Sequence, residues 1–282
     1  MRMRRIRALG LIFLCTGPLV GIGTPGRRAA GQDPAPSART DDDPARRLGD
    51  MKRAMGRYRI ELGSDPAVPL TLVGEPVLRW SNPVRAPGTS DGAVFVWVAG
   101  GRPEVVAAVY RNPVERHEFL SLATVPLTAR QDGRAVWAPT TAGLSMAPIP
   151  EAPGPAATPS ERLRQMRVLA RQFQVEVVER GEDPTALRLL PQPLYRYEPG
   201  RPDLSDGALF AFTLATDPEA ILVIESRPSQ GAMAWHYGFG RMSAHELHAR
   251  HDRRLVWQAP RHTPPRDPAI PYMGFPAADQ PR

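Results

Sequence analysis

Residues 204–226 read LSDGALFAFTLATDPEAILVIES, and residues 90–110 read SDGAVFVWVAGGRPEVVAAVY. Ser205-Asp206-Gly207-Ala208 repeats Ser90-Asp91-Gly92-Ala93, Phe210 falls on Phe95, Phe212 on Trp97, and Pro218-Glu219 on Pro103-Glu104. Each pair lies 115 positions apart, which reads as a tandem duplication. Within each stretch two apolar runs are joined by only a few residues, Gly100-Gly101-Arg102-Pro103 or Thr216-Asp217-Pro218. A parallel crossover needs about a dozen residues, so these runs are predicted to pair as antiparallel strands.

Working outward, the duplication reaches back to a helix. Asp43-Pro44 predicts an N-cap followed by proline at the first helical position, and Thr158 to Glu161 predicts a capping box. Leu48, Met51, Met55 and Tyr58 line one helical face, and Leu163, Met166, Ala170 and Phe173 repeat it. Alternation then takes over in Tyr58, Ile60 and Leu62 and in Phe173, Val175 and Val177, as a half-buried strand requires. Short runs punctuated by proline follow. Further on, 119–131 and 239–251 each supply strand, and Asp132-Gly133 and Asp252-Arg253 mark tight turns into Trp137 and Trp257.

The predicted fold is therefore α+β twice over. Each copy is one N-terminal helix on an antiparallel meander of six to seven strands, an architecture similar to cystatin-like or nuclear-transport-factor-like folds. The expected organisation is a signal peptide over 1–31, a polar linker over 32–43, repeat 1 over 44–145, and a Pro-rich linker over 146–157. Repeat 2 spans 158–260, and a Pro-rich tail over 261–282 is read as disordered, with Tyr272-Met273-Gly274-Phe275 able to dock.

The formal charge of +7 sits in the leader. Residues 1–31 hold six arginines and no acid; taking these from the 36 basic residues leaves 30 against 29 acids. That distribution argues against nucleic acid as a partner. Arg2 to Arg7 followed by Ala8-Leu9-Gly10-Leu11-Ile12-Phe13-Leu14 read as an export signal. The apolar run is too short for a membrane span, so the mature chain is expected to be periplasmic or extracellular with no span. Cys15 lies inside the leader, which leaves the mature chain without thiol or disulfide chemistry.

The sequence holds no G-x-S-x-G elbow, Walker loop or H-E-x-x-H, and Lys52 is its one lysine. No catalytic residue and no cofactor are assigned. Candidate binding residues are Arg79 and Arg196, at matching positions in apolar strands, and the aromatic run Trp235-His236-Tyr237. Asp91, Asp206, Glu104 and Glu219 read as turn residues. His245, His248 and His251 are the candidate metal ligands, although their counterparts Val125, Thr128 and Gln131 are not. His117 and His236 fall one position out of register, which leaves their equivalence open.

At LRLLPQPLYRYEP (187–199), DGALFAF (206–212) and RHDRRLVW (250–257) the chain resembles duplicated secreted hypothetical proteins of planctomycete-type bacteria. That resemblance covers about 46–260, implies export and duplication, and carries no site residue. The leading expectation is a non-enzymatic envelope protein that binds an unidentified ligand or partner. Two alternatives are an exported hydrolase using residues near His236, His245 and His248, and an envelope scaffold recognised through its Pro-rich tail.

Overall fold

The computed structural model describes residues 43–277 apart from 64–65, 82–90, 112–113, 182, 199–202 and 263–266. The expected leader and most of the polar linker therefore lie outside the described residues. Helix α1 (Pro44–Gly56) opens the first half, with the Asp43 carboxylate accepting from the Ala45 amide at 2.9 Å. Nine strands follow: β1 (Tyr58–Leu62), β2 (Val68–Pro69), β3 (Thr71–Leu72), β4 (Leu78–Ser81), β5 (Asp91–Ala99), β6 (Arg102–Arg111), β7 (Glu115–Ser121), β8 (Leu127–Gln131) and β9 (Arg134–Trp137). A short strand, β10 (Ala147–Pro148), lies in the linker.

The second half runs in the same order. It comprises α2 (Pro159–Ala170), β11 (Phe173–Val178), β12 (Thr185–Ala186), β13 (Arg188–Leu189), β14 (Tyr195–Tyr197), β15 (Asp206–Leu214), β16 (Asp217–Ser229), β17 (Ala232–Arg241), β18 (Glu246–His251) and β19 (Arg254–Ala259). The last strand is β20 (Tyr272–Pro276). Thr158 caps α2 as expected, accepting from the Glu161 amide at 3.3 Å.

The strands do not form one meander per half. Each half divides into a four-stranded outer sheet, β2-β1-β8-β9 or β12-β11-β18-β19, and a six-stranded inner sheet. The inner sheets are β20-β7-β6-β5-β3 with β4 also on β5, and β10-β17-β16-β15-β13 with β14 also on β15. The reason is visible along β5 and β6. Ala93, Phe95, Trp97, Val105, Ala107 and Val109 face α1 and the outer sheet. Val94, Val96, Val106 and Ala108 face Leu209, Ala211, Ile221 and Val223 of the other inner sheet. A strand apolar on both faces must be covered twice, so the inner sheets pack on each other and leave the outer sheets to cover their backs.

The two expected repeats therefore belong to one compact unit, Asp42–Arg282, with a core in each half and a third core shared between them. The linker and tail close it. β10 pairs with β17, and β20 pairs with β7, so each half supplies the edge strand of the other half's inner sheet. The tail expected to be disordered thus contains an ordered strand. Met273 and Phe275 enter the first core, and the prolines are tolerated because β20 is an edge strand. β16 and β17 form a long hairpin, turned by Gln230 and Gly231 at φ 50° and 85°. Among the described residues, no helix is long and apolar enough to cross a membrane.

Both outer hairpins turn through two left-handed residues, Asp132-Gly133 (φ 48° and 84°) and Asp252-Arg253 (φ 45° and 68°). That geometry favours glycine second, and a side chain there costs roughly 1 kcal/mol. Arg253→Gly should raise the unfolding free energy by about 0.5–1 kcal/mol, and Gly133→Arg should lower it by about as much. Urea unfolding checks both; an unchanged or lower midpoint for Arg253→Gly would refute the strained turn.

Candidate functional site

The sequence candidates Arg79 and Arg196 prove to belong to two matching clamps. Asp91 is buried at the start of β5 and is bonded by Arg47 of α1 at 3.0 Å and Arg79 of β4 at 3.3 Å. Asp206, wholly buried at the start of β15, is bonded by Arg162 of α2 at 2.7 Å and Arg196 of β14 at 2.8 Å. Arg79 and Arg196 also donate to the carbonyls of Pro44 and Pro159, the first residues of the two helices. Each clamp ties a helix start to two strands. The aspartates are thus more than turn residues, and their bonds engage the arginines named above as ligand-binding candidates.

A second ionic cluster lies between the inner sheets. Arg102, 4% exposed, donates to Glu104 at 2.7 Å and crosses to Glu225 of the other half at 2.8 Å. Glu225 also accepts from Tyr197 and Arg227. Burial opposes ionisation of Glu225, but Arg102 and Arg227 outweigh it and hold the carboxyl below its ordinary range. Arg102 is likewise desolvated, and Glu225 and Glu104 more than restore its charge. At the matching positions 115 residues away stand Asp217, Glu219 and Tyr110, so the cluster is not repeated. Glu104 and Glu219, read from sequence as turn residues, are both buried strand residues.

Near Glu219 lies Glu118 of β7, beside Tyr110 and Tyr272. Tyr110 donates to it at 2.8 Å. Burial, opposed by the tyrosine hydroxyls and reinforced by Glu219, pushes the Glu118 carboxyl up to about 7.

The histidines scatter. β17 places His236 opposite Pro148, where its ring meets the carbonyl of Ala234 at 3.2 Å. Trp235 and Tyr237 are buried in the second core and form no exposed aromatic wall. His245 precedes β18, His248 bonds Glu246 at 2.8 Å, and buried His251 meets Gln172 at 3.3 Å. Among the described residues, no three His, Cys, Asp or Glu side chains are placed to hold a metal ion. Register also decides the equivalence left open above. Phe119 pairs with Ala107 and Phe239 with Leu222, which makes Tyr237 the counterpart of His117. His117 is buried and joins Tyr58 at 2.6 Å and Glu115 at 3.0 Å, within a core where the second half has Phe173, Tyr237 and Trp235.

A more open feature lies in the second half. Between β11 and β12 on one side and β13 and β15 on the other is a cleft of about 440 Å³. Phe173, Val175, Leu187, Leu189 and Phe212 form its apolar surface, and Arg171, Gln174 and Glu176 supply its polar groups. None of the cleft residues was a sequence candidate, because apolar strand residues carry no linear mark of an opening between sheets. No protein-family model, curated protein or solved structure matches the chain.

Glu118 gives a test of the buried electrostatics. Its folded value lies above the ordinary 4.5, so its contribution is complete below about pH 4.5 and is lost as pH rises through about 7. The loss is on the order of 3 kcal/mol. Glu118→Gln should therefore flatten the fall in stability between pH 5 and 8. Urea unfolding of both proteins across that interval measures it; parallel curves would contradict the assignment.

Proposed function

We propose that this is an exported, non-enzymatic binding protein of the cell envelope whose two α+β modules arose by tandem duplication. The recurring order of elements and the matching clamps, whose aspartates lie 115 residues apart, support the duplication, and the charged, apolar leader supports export. The observation that carries the binding reading is the open cleft of the second module. Its volume lies within the range of small-molecule sites, and a mostly apolar lining with a few polar groups is the usual composition of such sites. Its occupant is a molecule with an apolar body and one polar end, the body against Phe173, Leu187, Leu189 and Phe212 and the polar end at Arg171, Gln174 or Glu176.

The arrangement of the histidines gives less support to a hydrolase, since His236 lies on an inner sheet and His248 on an outer one. Docking of β20 likewise gives less support to a scaffold recognised through a free tail.

The binding reading predicts that decanoate or octyl glucoside raises the thermal midpoint of the full chain. At a hundred times the dissociation constant the gain is about 2.7 kcal/mol, or roughly 5–11 °C for a chain of this size. Half-buried Leu189→Glu should remove the shift while leaving the ligand-free midpoint within a few degrees. No shift with either probe, or an equal shift in the variant, would overturn the cleft as the binding site.

A further inference from the structure

A second recess, of about 180 Å³, lies where β17, β19 and the segment entering β20 meet the first half. Its apolar walls include Phe239, Trp257, Ile270 and Leu120, and its polar groups are Arg241, His262 and Tyr272. Phe239 and Trp257 are stacked, with ring centroids 5.4 Å apart and planes 24° from parallel. The wall is thus an aromatic stack with a cation beside it.

That cation is held rigidly. The Arg241 guanidinium donates to the carbonyls of Ser243 at 2.8 Å, Pro260 at 2.7 Å and His245 at 2.6 Å. It lies 5.4 Å above the Tyr272 ring. These contacts fix its position and use three of its five N–H groups. Carbonyls and a ring face, however, do not neutralise a charge. Among the described residues, no carboxylate lies within ion-pair distance of Arg241, unlike Arg102, Arg162 and Arg196, each of which has one. Burial weakens its hold on its proton, as expected where an opposite charge is lacking, with Tyr272 and Glu118 opposing that effect from nearby.

We infer that this recess is a binding site for single-ring aromatic carboxylates. The carboxylate takes the remaining N–H donors of Arg241, and the ring lies against Trp257 and Phe239. A fixed guanidinium is suited to a planar carboxylate, which it meets with charge-assisted hydrogen bonds. Aromatic surface beside it favours a ring over an aliphatic chain. The volume admits one ring and is below the range of drug-sized ligands. This site is separate from the cleft of the second module and does not depend on it, since the two share no lining residue.

The test is calorimetric titration of the full chain with benzoate at pH 6.5, with benzyl alcohol, acetate and benzylamine as comparators. Benzoate should bind at least ten-fold more tightly than each of the three. Ile270→Trp fills the recess while leaving residue 241 an arginine, and should weaken benzoate at least ten-fold while keeping the parent's circular dichroism and thermal midpoint. Arg241→Gln should reduce benzoate to the affinity of benzyl alcohol. If that variant fails to fold, the comparator series and Ile270→Trp decide the matter. Benzyl alcohol or acetate binding as tightly as benzoate, benzoate binding unaffected by a folded Ile270→Trp, or no benzoate binding at all would each overturn the site.

Discussion

Everything else in this molecule follows from the contact between the two inner sheets. β5, β6, β15 and β16 are apolar on both faces, and the residues on one face meet only across the divide between halves. Val94, Val96, Val106, Leu209, Ile221 and Val223 are all fully buried there. At roughly 1.5–3 kcal/mol for each large apolar side chain, their exposure would cost about as much as a domain's whole net stability. Neither half can keep its inner sheet and stand alone. The outer sheets and helices are then what covers the remaining two faces.

A pair of sheets packed this way still has open edges, and an exposed edge invites pairing with another chain. The linker and tail answer that need reciprocally. β10 lies on β17, and β20 lies on β7. The tail also joins the first half directly, as in the bond from the Trp137 indole to the Ile270 carbonyl at 2.9 Å. Proline suits these positions because an edge strand needs only half its donors. The recess beside Arg241 is a by-product of this crossing, since it opens where the segment before β20 passes the second half.

Much of this could be read from the residues, and what could not has identifiable causes. The two helices carry local signals in Asp43-Pro44 and the Thr158–Glu161 box, and both stand where those signals place them. The hairpins follow from turn length. The division into inner and outer sheets was not legible, because alternation tells how many faces of a strand are buried and not what buries them. The apolar runs AVFVWV and ALFAFTL carry the two-faced burial, and a single meander on a helix leaves one of those faces bare. The tail is half legible for a related reason: Tyr272-Met273-Gly274-Phe275 reads as able to dock while proline frequency reads as disorder, and the order comes from a partner strand more than 150 positions earlier. Arg79 and Arg196 stand out in the sequence as charges at matching places, but the residues they bond, Asp91 and Asp206, carry no mark of that role, because a following glycine is enough to explain an aspartate. The cleft and the Arg241 recess left no trace in the sequence, because each is assembled from segments far apart in the chain.

The shared core also raises a problem of specificity that apolar burial alone does not solve. Two similar sheets offer a face on which a sheet from another molecule could pack almost as well, and valine and alanine discriminate poorly between such arrangements. The buried charges break the similarity. Arg102 finds Glu225 only when the first inner sheet meets the second, because the residue matching Arg102 is Asp217 and that matching Glu225 is Tyr110. Two copies of the second sheet would face Glu225 with Asp217, and two copies of the first would leave Arg102 facing Tyr110. Arg102 would keep Glu104 and Glu225 would keep Arg227, but each would lose the opposite charge that faces it across the contact; breaking a buried ion pair costs several kcal/mol, whereas an intact one gains little over an apolar replacement. The cluster is therefore better understood as selecting the partner sheet than as strengthening the contact, and its presence at only one of the two matching places is what lets it select.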